Sequence, residues 1–172
     1  MVDCTRKPAL LVVFFGVLSC SSPVEVPWDG EPLLQTEGFE FQVIHTSGRM
    51  EVTIPFSYTN HTGSKVLLSH CGGDVSPTLD MRRGDEWVTA WVPIRRACGS
   101  TPIQIKKGAE YRDTLRVYAH PFGSNTHPQF LFEDIEGTYR LRWNVAYSER
   151  NSEAQPLPLE FRISNEIFLK DS

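Results

Sequence analysis

The sequence predicts an all-β domain, an antiparallel β-sandwich of about eight or nine short strands. From Gly38 onward, apolar and polar residues alternate in a series of short runs, and a period of two is typical of strands with one buried face. Segments rich in glycine, asparagine and proline separate these runs, and no run keeps the spacing of a helix. These three observations favour two packed antiparallel sheets.

The longest alternating run, residues 50–58, predicts a strand that contains Pro55. Because proline cannot donate a hydrogen bond to a neighbouring strand, this strand must have an edge or a bulge at that position. Residues 60–63 then predict a turn, and Gly84 with Asp85 predicts a hairpin. The remaining predicted strands are residues 39–43, 66–70, 79–81, 86–92, 103–105, 111–119, 139–147 and 159–163.

The N-terminus has the pattern of an export signal. Arg6 and Lys7 precede an apolar run from Ala9 to Leu18, which is about half the length that a membrane-spanning helix needs and is typical of a signal peptide. Residues 17–20, Val-Leu-Ser-Cys, resemble the lipobox of bacterial lipoproteins. This resemblance implies that residues 1–19 are removed and that Cys20 carries the lipid. We therefore expect a lipoprotein of the cell envelope, anchored in a membrane on the periplasmic side or at the cell surface.

Processing would leave 172 minus 19, or 153, residues, which is enough for one domain. Residues 20–37 contain Cys20 and three prolines and predict a flexible tether, whereas residues 38–172 are the predicted sandwich. Cys71 and Cys98 are the cysteines of that domain, and an even pair in an exported protein predicts a disulfide. Two free thiols or half of a metal site are the alternatives.

The stretch IEGTYRLRW, residues 135–143, places Gly137 two residues before Tyr139 at the entrance of a late strand. This resembles the tyrosine corner of immunoglobulin-like sandwiches, in which the hydroxyl bonds the backbone upstream. Alternatively, Tyr139 is simply the first core aromatic residue of its strand.

Four motifs in this order, FSYTNHTG, GDEWVTAW, IKKGAEYRDTLRV and IEGTYRLRW, resemble bacterial intracellular proteinase inhibitors of the immunoglobulin-like type. They are also similar to exported lipoproteins with the same plan. The resemblance covers residues 39–169 and implies an immunoglobulin-like fold. It specifies a fold better than an activity, because one fold can host many functions.

Two features predict recognition surfaces. Trp87 and Trp91 lie four residues apart on one predicted strand and are therefore expected to share a face. They either pack in the core or form an exposed platform for a glycan or a peptide. The second feature is the long loop of residues 119–130, whose candidate binding residues are His120, Phe122 and His127.

Charge and motif content narrow the classes of partner. Removal of residues 1–19 changes the formal charge from −4 to −5, and this acidic balance argues against nucleic acid. The histidines show no metal-ligand spacing, and we expect neither a metal nor a cofactor. Cys71 is not expected to act as a nucleophile with His70, because neighbouring side chains on an extended chain point to opposite faces. Basic residues predict either a patch for anionic lipid or polysaccharide, or a solvated face with salt bridges; they are the doublets Arg82–Arg83, Arg95–Arg96 and Lys106–Lys107, together with Arg140 and Arg142.

Three functions remain after these considerations. The first is a non-enzymatic, lipid-anchored module that binds a protein or an envelope polymer through its loops. The second, implied by the resemblance, is a proteinase inhibitor that presents a surface loop such as residues 119–130. The third is an enzyme that depends on a metal or a thiol. The sequence favours the first.

Overall fold

A computed structural model describes residues 33–71, 77–94, 100–147 and 156–171. Within these ranges the chain forms twelve strands, one 3₁₀ turn and no α-helix, so the all-β prediction is confirmed. The strands are β1 (Leu34–Thr36), β2 (Glu40–Gln42), β3 (Ile44–Thr46), β4 (Arg49–Thr59), β5 (Val66–Leu68), β6 (Thr78–Arg83), β7 (Glu86–Trp91), β8 (Ile103–Ile105), β9 (Glu110–Ala119), β10 (Gly137–Arg142), β11 (Val145–Tyr147) and β12 (Ile167–Lys170).

The first sheet is built around the long strand β4. It pairs with β9 along one side, and with the short strands β1 and β3 along the other. Pro55 lies between the parts of β4 that contact β1 and β3, and its carbonyl accepts a hydrogen bond from Glu37 N at 2.9 Å. In an antiparallel strand, the N–H and C=O groups of one residue point to the same side. The N–H group that proline lacks would therefore point to the gap between β1 and β3, where no strand pairs with β4. The edge predicted at Pro55 is therefore present.

The second sheet has the order β2-β12-β10-β6-β7, and the third has the order β11-β5-β8. The pairs are antiparallel except for β2 with β12, which is parallel. Trp143 and Asn144 separate β10 from β11, so the predicted single strand over 139–147 is divided in two. The Trp143 backbone N–H donates to Arg162 O at 2.7 Å instead of continuing either ladder.

Aromatic side chains connect the first and second sheets. Trp143 is 1% exposed and makes edge-to-face contacts with Phe56 and Tyr58 of β4, at ring-centroid distances of 5.1 and 5.6 Å. Trp91 of β7 donates from Nε1 to Tyr118 O of β9 at 3.3 Å. Apolar side chains on the inner faces of both sheets thus form one core.

The predicted tyrosine-corner hydrogen bond is present. Tyr139 is fully buried, and its hydroxyl donates to Ile135 O at 2.8 Å. Gly137 begins β10 with a φ of +154°, and a Cβ at this position would lie 2.8 Å from Met81 Cε. The corner therefore favours a glycine for its backbone conformation, and a Cβ there would also require the end of the Met81 side chain to move.

The structure corrects three details of the sequence prediction. Residues 34–36, assigned to the tether, form β1, and Leu33 and Leu34 are buried; the fold therefore begins before residue 38. Residues 159–163, predicted as a strand, contain a 3₁₀ turn at Leu159–Phe161. Pro158 precedes that turn and accepts a hydrogen bond from Phe161 N at 3.1 Å. The strands outnumber the predicted eight or nine because the run over 139–147 is divided in two and because β1, β3 and β12 lie outside the predicted runs.

Candidate functional site

The chain enters the fold at one end of the sandwich, and the loop after β9 lies at the other end. Leu33 O accepts a hydrogen bond from Thr59 N, at the last residue of β4. Ala119, the last residue of β9, pairs with Met50 near the first residue of β4. Eleven residues of β4 span about 30 Å at the usual rise of a strand. The two ends are therefore separated by the length of the domain.

Residues 120–130, here called the far-end loop, are closed by hydrogen bonds. His120 N donates to Pro128 O at 2.8 Å, and Ser124 N donates to Pro121 O at 3.1 Å. Phe130 is fully buried, and the next residue, Leu131, donates from its backbone to Ala90 O of β7 at 2.8 Å. The loop is thus attached to β9 at its start and to the second sheet after its end.

The candidate residues of the far-end loop differ in exposure. Phe122 is 55% exposed, His127 is exposed and His120 is half-buried. Beside them, Tyr118 and Leu131 are also exposed. The three predicted residues therefore belong to one surface region that carries exposed apolar and imidazole side chains.

The prediction that Trp87 and Trp91 share a face is wrong. A bulge changes the register between β6 and β7: Leu79 pairs with Trp91, whereas Asp80 pairs with Thr89. Ala90 is the extra residue, and each extra residue reverses the face on which the following side chains lie. Trp91 is consequently 3% exposed in the core, and Trp87 lies on the outer face with Asp80 and Thr89.

Trp87 belongs to a polar group on the outer face of the second sheet, here called the Asp80 cluster. Asp80 accepts hydrogen bonds from Arg142 Nε at 2.8 Å and from Arg142 Nη2 at 3.0 Å. Arg142 Nη2 also donates to Thr89 Oγ1 at 2.9 Å. Arg140 Nη2 lies 3.7 Å from Asp80 Oδ2, and its guanidinium lies 4.4 Å from the centre of the Trp87 ring. One buried carboxylate thus faces two arginines.

Burial gives the cluster unusual electrostatics for an outer sheet face. The Asp80 side chain is 5% exposed and that of Arg140 is 14% exposed. Burial lowers the pKa of Arg140, whereas Asp80 opposes this shift and Arg142 adds to it. Arg140 Nε is buried without a hydrogen-bond partner. The face has salt bridges, as one of the two sequence interpretations predicted, and Arg82 and Glu166 are solvated there, whereas Asp80 and Arg140 are largely buried.

The predicted cysteine sites fall largely outside the part of the chain that the structure describes. Neither Cys20 nor Cys98 belongs to the described residues. Lipidation of Cys20 and the Cys71–Cys98 disulfide therefore stay predictions. Cys71 itself is half-buried and follows β5. Nearby, His70 Nε2 lies 2.7 Å from Thr101 O, which brings the segment after β5 beside the segment before β8.

Two further surveys concern the described ranges alone. Across residues 33–71, 77–94, 100–147 and 156–171, no three histidine, cysteine or acidic side chains are placed to hold a metal ion. In the same ranges, no helix is long and apolar enough to cross a membrane.

Comparison with known protein families, curated proteins and solved structures finds no match to this chain.

The Asp80 cluster also contains residues that the sequence prediction missed, Asp80 and Thr89 among them. Asp80 lies between the apolar residues Leu79 and Met81, a pattern that indicates only that its side chain is on the outer face of the strand. Its arginine partner, however, lies 62 residues away, and only the sheet order brings the two together.

Proposed function

We propose that this chain is a non-enzymatic, lipid-anchored protein of the cell envelope that recognises a protein or an envelope polymer through its far-end loop. The observation that supports this best is the position of the loop, opposite the end at which Leu33 enters the fold. A lipid on Cys20 would attach the domain at its entry end, and the loop would then lie at the end farthest from the point of attachment. Residues 21–32 could reach at most about 40 Å when extended.

Metabolic palmitate labelling tests the anchor. The wild-type chain should be labelled, Cys20→Ala should not, and the matched control Ser22→Ala should be labelled like the wild type. Equal labelling of Cys20→Ala would exclude lipidation at this residue. A secreted, unlabelled wild type would indicate an ordinary signal peptide instead.

Retention of envelope components tests the loop. Phe122→Ser should lose a component that the wild type retains from envelope extracts, because it removes the most exposed apolar side chain of the loop. The matched control is Phe39→Ser, at a phenylalanine that is 76% exposed outside the loop. Loss in both variants, or in neither, would contradict recognition by the far-end loop.

A proteinase inhibitor is the second candidate, and one observation favours it. The far-end loop is exposed at Phe122 yet closed by the hydrogen bond from His120 N to Pro128 O, and a loop held in one conformation binds with less ordering cost. A panel of proteases distinguishes the two candidates. Inhibition that is lost when the loop is cleaved would support the proteinase inhibitor. Absence of inhibition across the panel would favour a protein that recognises an envelope component.

We also propose the disulfide between Cys71 and Cys98. In β5 and β8, Leu68 pairs with Ile103, and continuation of this antiparallel register would place residue 71 opposite residue 100. Cys98 precedes residue 100 by two positions in the sequence, and His70 Nε2 lies 2.7 Å from Thr101 O, so Cys71 lies beside the segment that follows Cys98. Thiol titration of the denatured, unreduced protein should find neither cysteine free. Two titratable thiols would contradict the bridge.

The immunoglobulin-like type of sandwich is a further part of the proposal. Pairing of β1 and β9 with β4, and the order β12-β10-β6-β7, agree with the A-B-E and G-F-C-C′ arrangements of such domains. The hydroxyl of Tyr139 supports the same assignment, because its bond to Ile135 O lies at the start of the strand that corresponds to F.

A further inference from the structure

The Asp80 cluster and its neighbours contain more arginines than carboxylates. Arg142 occupies both oxygens of Asp80, and Arg82 lies 3.6 Å from Glu166. These five charged residues comprise three arginines and two acids, so Arg140 is the remaining cation. It contacts Asp80 only at 3.7 Å. This is an arrangement in which an added anion would be favoured.

The surroundings of Arg140 also indicate the shape of that anion. Its guanidinium stacks on the Trp87 ring at 4.4 Å, and stacking leaves the N–H groups in the plane of the guanidinium directed past the ring edge. A planar oxyanion such as a carboxylate can accept two such hydrogen bonds. Trp87 is half-buried, so part of its ring stays available beside the arginine.

We propose that Arg140 and Trp87 form a binding site for an acidic sugar unit of an envelope polysaccharide. Arg140 binds the sugar carboxylate, and the exposed part of Trp87 packs against the C–H groups of the sugar ring. Asp80 and Thr89 already use the Nε and Nη2 groups of Arg142, so the carboxylate of the sugar is assigned to Arg140. This site lies on a sheet face and is independent of recognition by the far-end loop.

Charge on neighbouring elements is consistent with a specific site and not with a general cationic surface. On β10, the residues of the outer face are Thr138, Arg140 and Arg142, and β12 adds Phe168 and Lys170. Beside them, Glu40 of β2 pairs with Phe168. Asp80 and Glu166 therefore flank Arg140, so the face is not broadly cationic. Binding of an anion must depend on Arg140 itself.

Titration of the full chain carrying Cys20→Ala, which removes the lipid, tests the site. The probe is trigalacturonic acid, and maltotriose is the neutral control. We expect saturable binding of the acidic trisaccharide alone. Arg140→Gln should weaken it about tenfold or more, the value of a charge-assisted hydrogen bond, and Trp87→Leu should also weaken it. Arg116→Gln, at an exposed arginine of β9, is the matched control and should bind like the parent.

A second measurement keeps the test valid if a variant does not fold. In the parent protein, the acidic trisaccharide should shift the NMR signals of Arg140 Nε–H and of the Trp87 indole N–H. Unshifted signals, or equal weakening by Arg116→Gln, would overturn the site. Equal binding of inorganic phosphate, or binding to phosphatidylglycerol vesicles without binding of the trisaccharide, would overturn the assignment to a sugar. Retained binding in Phe122→Ser would separate this site from the proposed function of the loop.

Discussion

Asn60 and Asp80 are both buried polar residues, but the fold satisfies them in different ways. Asn60 is 0% exposed and Asp80 is 3% exposed. Asn60 is neutral and lies in the turn after β4, where all of its hydrogen-bonding groups have partners. Asp80 is charged and lies on a sheet face, where it is shared by two arginines that together exceed its charge. The first arrangement is complete, whereas the second retains one cation.

Partners of Asn60 come from three segments. Its Nδ2 group donates to Ser64 O at 2.9 Å and to Ile105 O at 2.8 Å, and Oδ1 accepts from Thr62 N and Thr62 Oγ1 at 3.0 and 2.6 Å. The backbone N–H donates to Ala109 O at 3.0 Å, and its carbonyl accepts from Gly108 at 2.7 Å. The side chain of Asn60 thus joins the end of β4 to β8, and its backbone joins the same point to the turn that precedes β9.

The difference between Asn60 and Asp80 shows how the partners of a buried polar group indicate whether it serves stability or binding. A buried group whose donors and acceptors are all paired specifies structure, and removing it leaves its partners unsatisfied. A buried charged group with an excess of one sign is costly unless something else offsets it. The Asn60 network therefore predicts a loss of stability on mutation, whereas Arg140 predicts a loss of binding.

Asn60→Ala should have the largest effect on stability. It removes the bonds to two carbonyls and to Thr62, and we expect the free energy of unfolding to fall by about 3 kcal/mol or more. Asn60→Asp should be worse, because it removes both donors and buries a carboxylate. Urea unfolding followed by circular dichroism measures the change. Asn125→Ala, at an exposed position of the far-end loop, is the control and should change stability little. If Asn60→Ala changed the free energy of unfolding only slightly, the structural role of Asn60 would be contradicted.

Arg142→Ala should have an intermediate effect. It leaves Asp80 buried with Arg140 at 3.7 Å and the Thr89 hydroxyl at 3.3 Å, and we expect a loss of roughly 2 kcal/mol. Arg140→Gln should cost less than about 1 kcal/mol, because the Asp80–Arg142 bonds stay in place. The same urea titrations compare the two. If Arg140→Gln cost more than Arg142→Ala, Arg140 would be a structural residue and the contrast with Asn60 would disappear.

Tyr139→Phe should also have a small effect at neutral pH, about 1 kcal/mol for one buried hydrogen bond. Burial raises the pKa of Tyr139 above its ordinary value of 10.0. A group whose folded pKa is raised contributes stability below the unfolded pKa and loses it as the pH rises through the folded pKa. Stability should therefore decline above about pH 10, and less steeply in Tyr139→Phe.

Tyr111 has a second hydroxyl with a raised pKa, so the same pH experiment can compare two tyrosines of one protein. Its pKa is also raised, first by burial and then by the hydrogen bond from its hydroxyl to Asp113. Tyr111→Phe should likewise reduce the decline above pH 10. An identical slope in the wild type and in both variants, measured by urea unfolding between pH 8 and pH 11 or so, would contradict the role of these two hydroxyls.

Local patterns determined much of the fold. The alternation over 50–58 predicted β4, the glycine at residue 84 predicted the hairpin in which Gly84 has a φ of +62°, and the sequence before Tyr139 predicted its bond to Ile135 O. Each of these depends on the period of a strand or on the conformation of a few adjacent residues. Local residues therefore suffice to predict them.

The tertiary structure alone decided the faces and partners that matter for a binding site. The bulge at Ala90 placed Trp91 in the core and Trp87 outside, although the two share the same alternating run. Arg142 and Thr89 meet Asp80 only because β10, β6 and β7 are neighbours, and Leu34 is buried only because β1 pairs with β4. These outcomes depend on register and on contacts between distant segments, which a repeat of two residues along the chain does not encode.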